Sequence, residues 1–456
     1  MSSQHYAAVI DTLLPQWREQ ILHLSRQVFA HPEGPYAEHF ASEATAALLE
    51  EAGFTVERGA FGLDTCIRAQ WGQGHPVIGL LGEYDALPGL SQEPVPHQAP
   101  IPGEAYGHGC GHNLMAAGHA GAAIMMKELF AQEGLSGTVV FYGCPAEEVL
   151  TGKPAMLAHG AFTELDAALA FHPAGVNFVT MGKNAGVVSL EFHYTGISAH
   201  AAGNPEMGRS ALDALELTNM GAQYLREHLP QDIALHYVTK EGGTAPNLVP
   251  DKAVSWYMVR GKTIEHLLSA KERLIKVAKG AAMMTETEVE VKELGGCYPT
   301  NPNPTLTLLL RQCMEETDLI PFPQEAHDFA DALAAQNPGC ASAARHFGIP
   351  GGKYLYEGIR PVDHTDSAGS LDLGDIQHLL PCGFCWTACR PVGTANHHWM
   401  MTACAGSAIG ETGMLNAVKV LALAGAHLAT EPALLEQARQ ELLQSCNPAD
   451  YRSLLP

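Results

Sequence analysis

Short apolar runs alternate with segments of helical period along the first part of the chain. In the opening MSSQHYAAVIDTLLPQW, Val9, Ile10, Leu13, Leu14 and Trp17 fall on one helical face, which predicts an amphipathic helix. Further helices are predicted near 42–51 and 113–130. Runs at 77–81, 138–142 and 167–171 read as strands, and this alternation predicts an α/β sheet. After Gly186 the pattern changes. VSLEFHYTG, IALHYVT and AVSWYMV alternate like half-exposed antiparallel strands, separated by helical stretches at 205–228 and 263–284. This predicts a small α+β unit, whose end is marked by GGCYPTNPNPT, Gly295 to Thr305. The chain then returns to mixed segments that finish in an apolar helix near 415–428. The pattern therefore predicts a larger discontinuous domain, 1–185 and 298–456, interrupted by a small inserted one, 186–297.

Composition narrows the class. At 456 residues the chain exceeds what one hydrophobic core usually serves. Apolar residues make up 46% and charged residues 16%, which is ordinary for a folded domain and excludes disorder. The net charge of −23 excludes nucleic acid and anionic membrane surfaces, which demand a basic stripe. Eleven cysteines without regular spacing suit reduced thiols. The first residues have no basic n-region, and no stretch is read as the roughly twenty apolar residues a bilayer span needs. A cytoplasmic location is the expectation. No internal repeat, Walker-type loop or GxSxG elbow is present.

The polar residues of interest follow the predicted strands. GEYDALPG carries Asp85, GHGCGHN carries Cys110 and His112, CPAEE carries Glu147 and Glu148, and FHP carries His172. Open α/β sheets place ligands at such carboxyl ends. Thiolate, imidazole and carboxylate are the donors that zinc and its neighbours take. Each residue also has an ordinary reading: a loop Cys–His pair, a solvated acid pair, a core histidine, a turn-stabilising Asp85. A zinc finger is not expected, because no CxxC or HxxxH partner stands at a suitable spacing. Beside a metal, one carboxylate of the CPAEE pair would ligate and the other would take a proton from water.

The order GEYDALPG, HGCGHN, PAEE, FHP, SAHAA, GGTAPNLVPD and a late His before an aromatic residue resembles the M20 metallopeptidase and amidohydrolase family. The likeness is closest to its aminoacylase-like branch, which includes p-aminobenzoyl-glutamate and indole-acetyl-amino-acid hydrolases. It implies an α/β catalytic domain with a mostly parallel central sheet flanked by helices, and an inserted α+β lid through which two chains form a homodimer. It implies two divalent ions per subunit, zinc or manganese, held by Cys110, His112, Glu148, His172 and His397, with His398 as the alternative to His397. Glu147 is implied as general base, and His200 of the lid as the residue that steadies the oxyanion in the partner's site. Asn247 and Arg260 are implied to hold a substrate carboxylate. Other branches carry His where this chain has Glu83; in the branch resembled here Cys110 takes over the ligand role, which favours a supporting role for Asp85. The implied reaction is hydrolysis of an N-acyl or N-aroyl amino acid such as p-aminobenzoyl-glutamate. A family dipeptidase and a noncatalytic partner of a homologous second subunit are the rival readings.

Overall fold

The computed structural model describes residues 3–456, and the chain divides into two compact units. The first comprises the residues up to Gly182 with Asn301–Thr365 and Ile376–Tyr451; the second comprises Lys183–Thr300 with Asp366–Asp375 and Arg452–Pro456. In chain order the strands are β1 (Thr55–Arg58), β2 (Ile67–Gln73), β3 (Val77–Glu83), β4 (Leu87–Pro88), β5 (Tyr106–Gly107), β6 (Gly137–Cys144), β7 (Ala167–Ala174), β8 (Phe178–Val179), β9 (Gly186–Thr195), β10 (Ala234–Glu241), β11 (Lys252–Gly261), β12 (Glu288–Cys297) and β13 (Cys382–Ala388).

The first unit is built on a seven-stranded sheet in the order β1-β2-β6-β3-β7-β13-β8. Its centre, β6-β3-β7-β13, is parallel, and β1, β2 and β8 pair antiparallel at the edges. β6 and β7 are buried along their whole length, as expected of parallel strands covered on both faces. The helices His112–Glu133 and Ala408–Thr430 pack on each other and on these strands, and the helix Ser3–Ala30 packs on both of them. Two sequence readings change here. Ala408–Thr430, at 23 residues, is long and apolar enough to cross a bilayer, contrary to the expectation that no stretch would be. Its most apolar window is 94% buried, so it is a core helix of the first unit. The stretch CGFC, Cys382 to Cys385, answers to CxxC but lies within β13, where residues three apart point to opposite faces. It offers no paired metal ligands.

In the second unit β10-β11-β9-β12 form an antiparallel sheet. β11 alternates buried and partly exposed positions over its length, the pattern of a sheet covered on one face. The helices Ala211–Arg226 and Ile264–Met284 pack against it and against each other. The first of them begins at Ala211, later than the periodicity predicts. Ser210 caps it by accepting the Asp213 amide, and Pro205–Met207 is a separate short 3₁₀ turn.

Candidate metal centre

Three parallel strands deliver the site. Glu83 at the end of β3 pairs in register with Cys144 at the end of β6, and His172 lies near the end of β7, beside Trp386 of β13. The chain then turns tightly after β6. Glu147–Val149 forms a 3₁₀ turn flanked by Ala146 (φ 57°) and Leu150 (φ 59°), a left-handed conformation that costs a non-glycine residue on the order of 1–3 kcal/mol. Glu38, fully buried, holds this turn: its carboxylate accepts the Ala146 amide at 2.8 Å, the Tyr36 amide at 2.9 Å and the Thr65 hydroxyl at 2.8 Å. Gly111 (φ 84°) precedes the helix that starts at His112. A Cβ there would stand 2.7 Å from Met401 Cε and 3.0 Å from Pro173 Cγ, so only glycine fits between Cys110 and His112.

His112 Nδ1 lies 3.0 Å from Asp85 Oδ1 and 3.1 Å from the Asp85 carbonyl. Its Nε2 therefore faces the acids: Glu83 Oε2 at 3.5 Å, Glu147 Oε2 at 3.9 Å and Glu148 Oε1 at 3.9 Å. His172 is oriented likewise, with Nδ1 2.9 Å from the Pro173 carbonyl and Nε2 3.3 Å from Cys110 Sγ. Anchoring one ring nitrogen so that the other is presented is how metal-binding imidazoles are held. His397 Nε2 stands 3.4 Å from Glu148 Oε2. His398 is turned elsewhere: its Nδ1 caps the helix Trp399–Ala405 through the Met400 amide. Asp85 supports from behind, its second oxygen accepting the Glu148 amide at 2.8 Å.

These donors form three overlapping groups in which the ligand atoms lie within 4.8 Å of one another: Cys110, His112 and His172; Cys110, Glu148 and His397; Glu83, His112 and Glu147. Glu83 Oε2, His112 Nε2 and Glu148 Oε1 are buried with no hydrogen-bond partner. Buried polar atoms left unsatisfied in this way are costly. A soft-and-hard donor set of thiol, imidazole and carboxylate around them fits a divalent cation.

The titration of the cluster without a cation points the same way. Burial pushes the Glu148 carboxyl up to about 7, with His112 opposing and Asp85 and Glu83 adding to the rise. Burial, then the Glu148 charge, pushes the Cys110 thiol up to about 12. Burial and then the neighbouring His112 hold His172 neutral, down at about 3. For His112 burial opposes the charge, yet Asp85 and Cys110 together raise it well above the ordinary imidazole value. For Asp85 burial is likewise outweighed, by His112 and the Glu148 amide, and the carboxyl is held below its usual range.

Three residues implied by the resemblance lie in the second unit. His200 is exposed, and its Nδ1 accepts the Ala202 and Gly203 amides at 3.2 and 3.0 Å, so the proton sits on Nε2. Exposed Asn247 is tied beside it, its carbonyl accepting the Ala201 amide at 3.0 Å. Arg260, at the end of β11, donates to the Ser370 hydroxyl at 2.6 Å. His108 and His119 pack within the core: His108 Nε2 lies 3.1 Å from the Val28 carbonyl, and His119 is bound to Met115 and Phe171. The residues to which the sequence assigned no role are Glu38, Glu83 and Lys153, the last two forming a buried pair, Oε1 to Nζ 2.5 Å. The one available signal was Glu83 itself, standing where other branches of the family carry His.

The sequence profile described as peptidase family M20/M25/M40 matches residues 79–380. A p-aminobenzoyl-glutamate hydrolase subunit of Escherichia coli (strain K12) is 35% identical, over 98% of this chain and 97% of its own length. The Xaa-Arg dipeptidase of Mus musculus is 26% identical, over 93% of this chain and 89% of its own. Among solved structures, a Bacillus subtilis protein described as a dinuclear metal binding peptidase from the M20 family superposes with a TM-score of 0.61 at 21% identity, covering 91% of this chain and 99% of that one. With the donor cluster at the carboxyl edge of the sheet, these likenesses settle the assignment: the chain belongs to peptidase family M20/M25/M40 and is a metal-dependent hydrolase of amide bonds.

Proposed function

We propose that the chain cleaves the amide bond of an N-acyl or N-aroyl amino acid, p-aminobenzoyl-glutamate being the first candidate, with two divalent ions of zinc or manganese. The observation that carries the substrate is the 35% identity, over nearly the whole of both chains, to a p-aminobenzoyl-glutamate hydrolase subunit. Cys110, His112, Glu148, His172 and His397 would hold the ions. When bound, such ions supply Lewis acidity, polarising a carbonyl and acidifying water.

The chain's own groups do the rest. Glu147 takes a proton from the attacking water and passes it to the leaving nitrogen. Asp85 fixes the His112 ring by its Nδ1 and the Glu148 backbone by its amide. The partner subunit's His200 donates its Nε2–H to the oxyanion that forms on the carbonyl. Asn247 and the planar guanidinium of Arg260 bind the carboxylate of the amino-acid half. The active assembly is a homodimer through the second unit, or a pair with a homologous second chain. The pair is supported by the bacterial relative, which is one of two different subunits of its hydrolase, both of them similar to this chain. The likeness to the Xaa-Arg dipeptidase favours one second reading, a dipeptidase.

The test is a hydrolysis screen on metal-reconstituted protein. Release of p-aminobenzoate from p-aminobenzoyl-glutamate, or of acid from other N-acyl amino acids, is expected. Turnover confined to free-amino dipeptides, Xaa-Arg among them, would assign the second reading instead.

A further inference from the structure

We infer that Glu83 is a ligand of the second metal ion, held in position by Lys153. The inference rests on the two-ion reading above and adds a residue that stands outside the implied ligand set. Glu83 closes β3 and is 7% exposed. One of its oxygens, Oε1, receives the Lys153 ammonium at 2.5 Å, and Lys153 is itself fully buried. The other oxygen, Oε2, is buried without a hydrogen-bond partner and faces His112 Nε2 at 3.5 Å. That nitrogen also lacks a hydrogen-bond partner. A structural ion pair would need neither an orphaned oxygen nor an orphaned imidazole pointed at it.

Counting donors leads to the same residue. Cys110 belongs to two of the three donor groups, and so does His112. A thiolate can be shared between two ions, whereas Nε2 of an imidazole serves one. If the first ion takes Glu148 and His397 with Cys110, the second is left with His112 and His172, and with whatever carboxylate lies near His112. The group Glu83, His112 and Glu147 offers two. Glu83 is fixed by Lys153 through Oε1 and keeps Oε2 for the ion, and its ligation leaves Glu147 to move a proton. The charge also balances. Glu83, Asp85, Glu147, Glu148 and a Cys110 thiolate gather five negative charges, against the buried cations Lys153 and Arg390; two divalent cations bring the buried cluster near neutrality.

The experiment titrates cobalt and zinc into chelator-stripped full-length protein, wild type against Glu83→Gln, Lys153→Met and the double variant. Because Glu83→Gln strands the buried lysine and can weaken folding, the double variant removes both charges and keeps the test valid. Two equivalents are expected in wild type and in Lys153→Met. In Glu83→Gln and the double variant, the second equivalent should weaken at least tenfold, while the thiolate-to-cobalt charge-transfer band of the first persists. Unchanged affinity for both equivalents in both Glu83 variants overturns this inference alone. A wild-type chain that takes up one equivalent or none removes the two-ion reading and this inference with it.

Discussion

At the scale of single residues the centre depends on which atom of each side chain is already occupied. His112 and His172 each spend Nδ1 on an oxygen and present Nε2, while Glu147 stands 3.9 Å from His112 without belonging to the Asp85 bracket. Glu147→Gln should therefore lower kcat by about 10²–10⁴-fold and leave metal content intact; near wild-type turnover of a confirmed substrate would remove Glu147 as the base. Asp85→Asn disturbs both the His112 ring and the Glu148 amide, and should weaken metal binding about 10–100-fold, read by competition with a chelator. Titration gives a further expectation. The folded, metal-free protein holds a proton on Glu148 up to about pH 7, above the ordinary carboxylate value. That proton stabilises the metal-free fold most at low pH, an advantage lost as pH rises through 7. Metal must displace it, together with the Cys110 thiol proton, so on lowering the pH apparent affinity should fall about tenfold per unit above 7 and steepen toward about a hundredfold per unit below it. A slope between pH 5.5 and 7 no steeper than that above 7 would contradict the proton placed on Glu148.

At the scale of elements, legibility followed local pattern. The buried strands β3, β6 and β7, the alternating β9, β10 and β11 and the long helices were readable because their periodicity is carried in consecutive residues. β1 and β12 were not: TVER is four residues and mostly polar, and β12 sets only two partly buried valines, Val289 and Val291, among exposed charges before its buried end. The same limit applied to the site. Cys110, His112, Glu147, Glu148 and His172 announced themselves at strand ends, whereas Glu83, noted only as an acid where other branches carry His, becomes a cluster member through its long-range meeting with Lys153 and His112. His397 and His398 are neighbours in sequence, separated only by backbone geometry: His397 takes φ 55° while His398 caps a helix. The turn that carries both acids has its own support in Glu38. Glu38→Ala leaves the Ala146 amide and Thr65 hydroxyl without their acceptor and should cost about 1–3 kcal/mol of stability, with a matching fall in kcat, measured by thermal unfolding and initial rates. Loss of stability without loss of rate would show that the turn holds itself.

At the scale of the whole molecule, the proposed roles of Glu147 and His200 fall on different units of the chain, and if they act across a dimer they can be separated genetically. Co-expressed Glu147→Gln and His200→Ala chains should regain activity that neither has alone, because a mixed dimer contains one site with both groups intact. Failure to complement in verified mixed dimers would place His200 outside the partner's reaction. The sheet order carries a consequence for how the protein is made. β13 lies between β7 and β8 in the sheet, yet it is translated some two hundred residues after them, and His397 and the apolar helix Ala408–Thr430 come later still. Until then a nascent chain presents an open edge on β7 and lacks the helix that covers its core, a state prone to wrong pairing. The ribosome must pass Cys382 and His397 before the centre can close, so ribosome-bound chains stopped short of Cys382 should stay protease-sensitive and chaperone-bound, however complete their first metal ligands are.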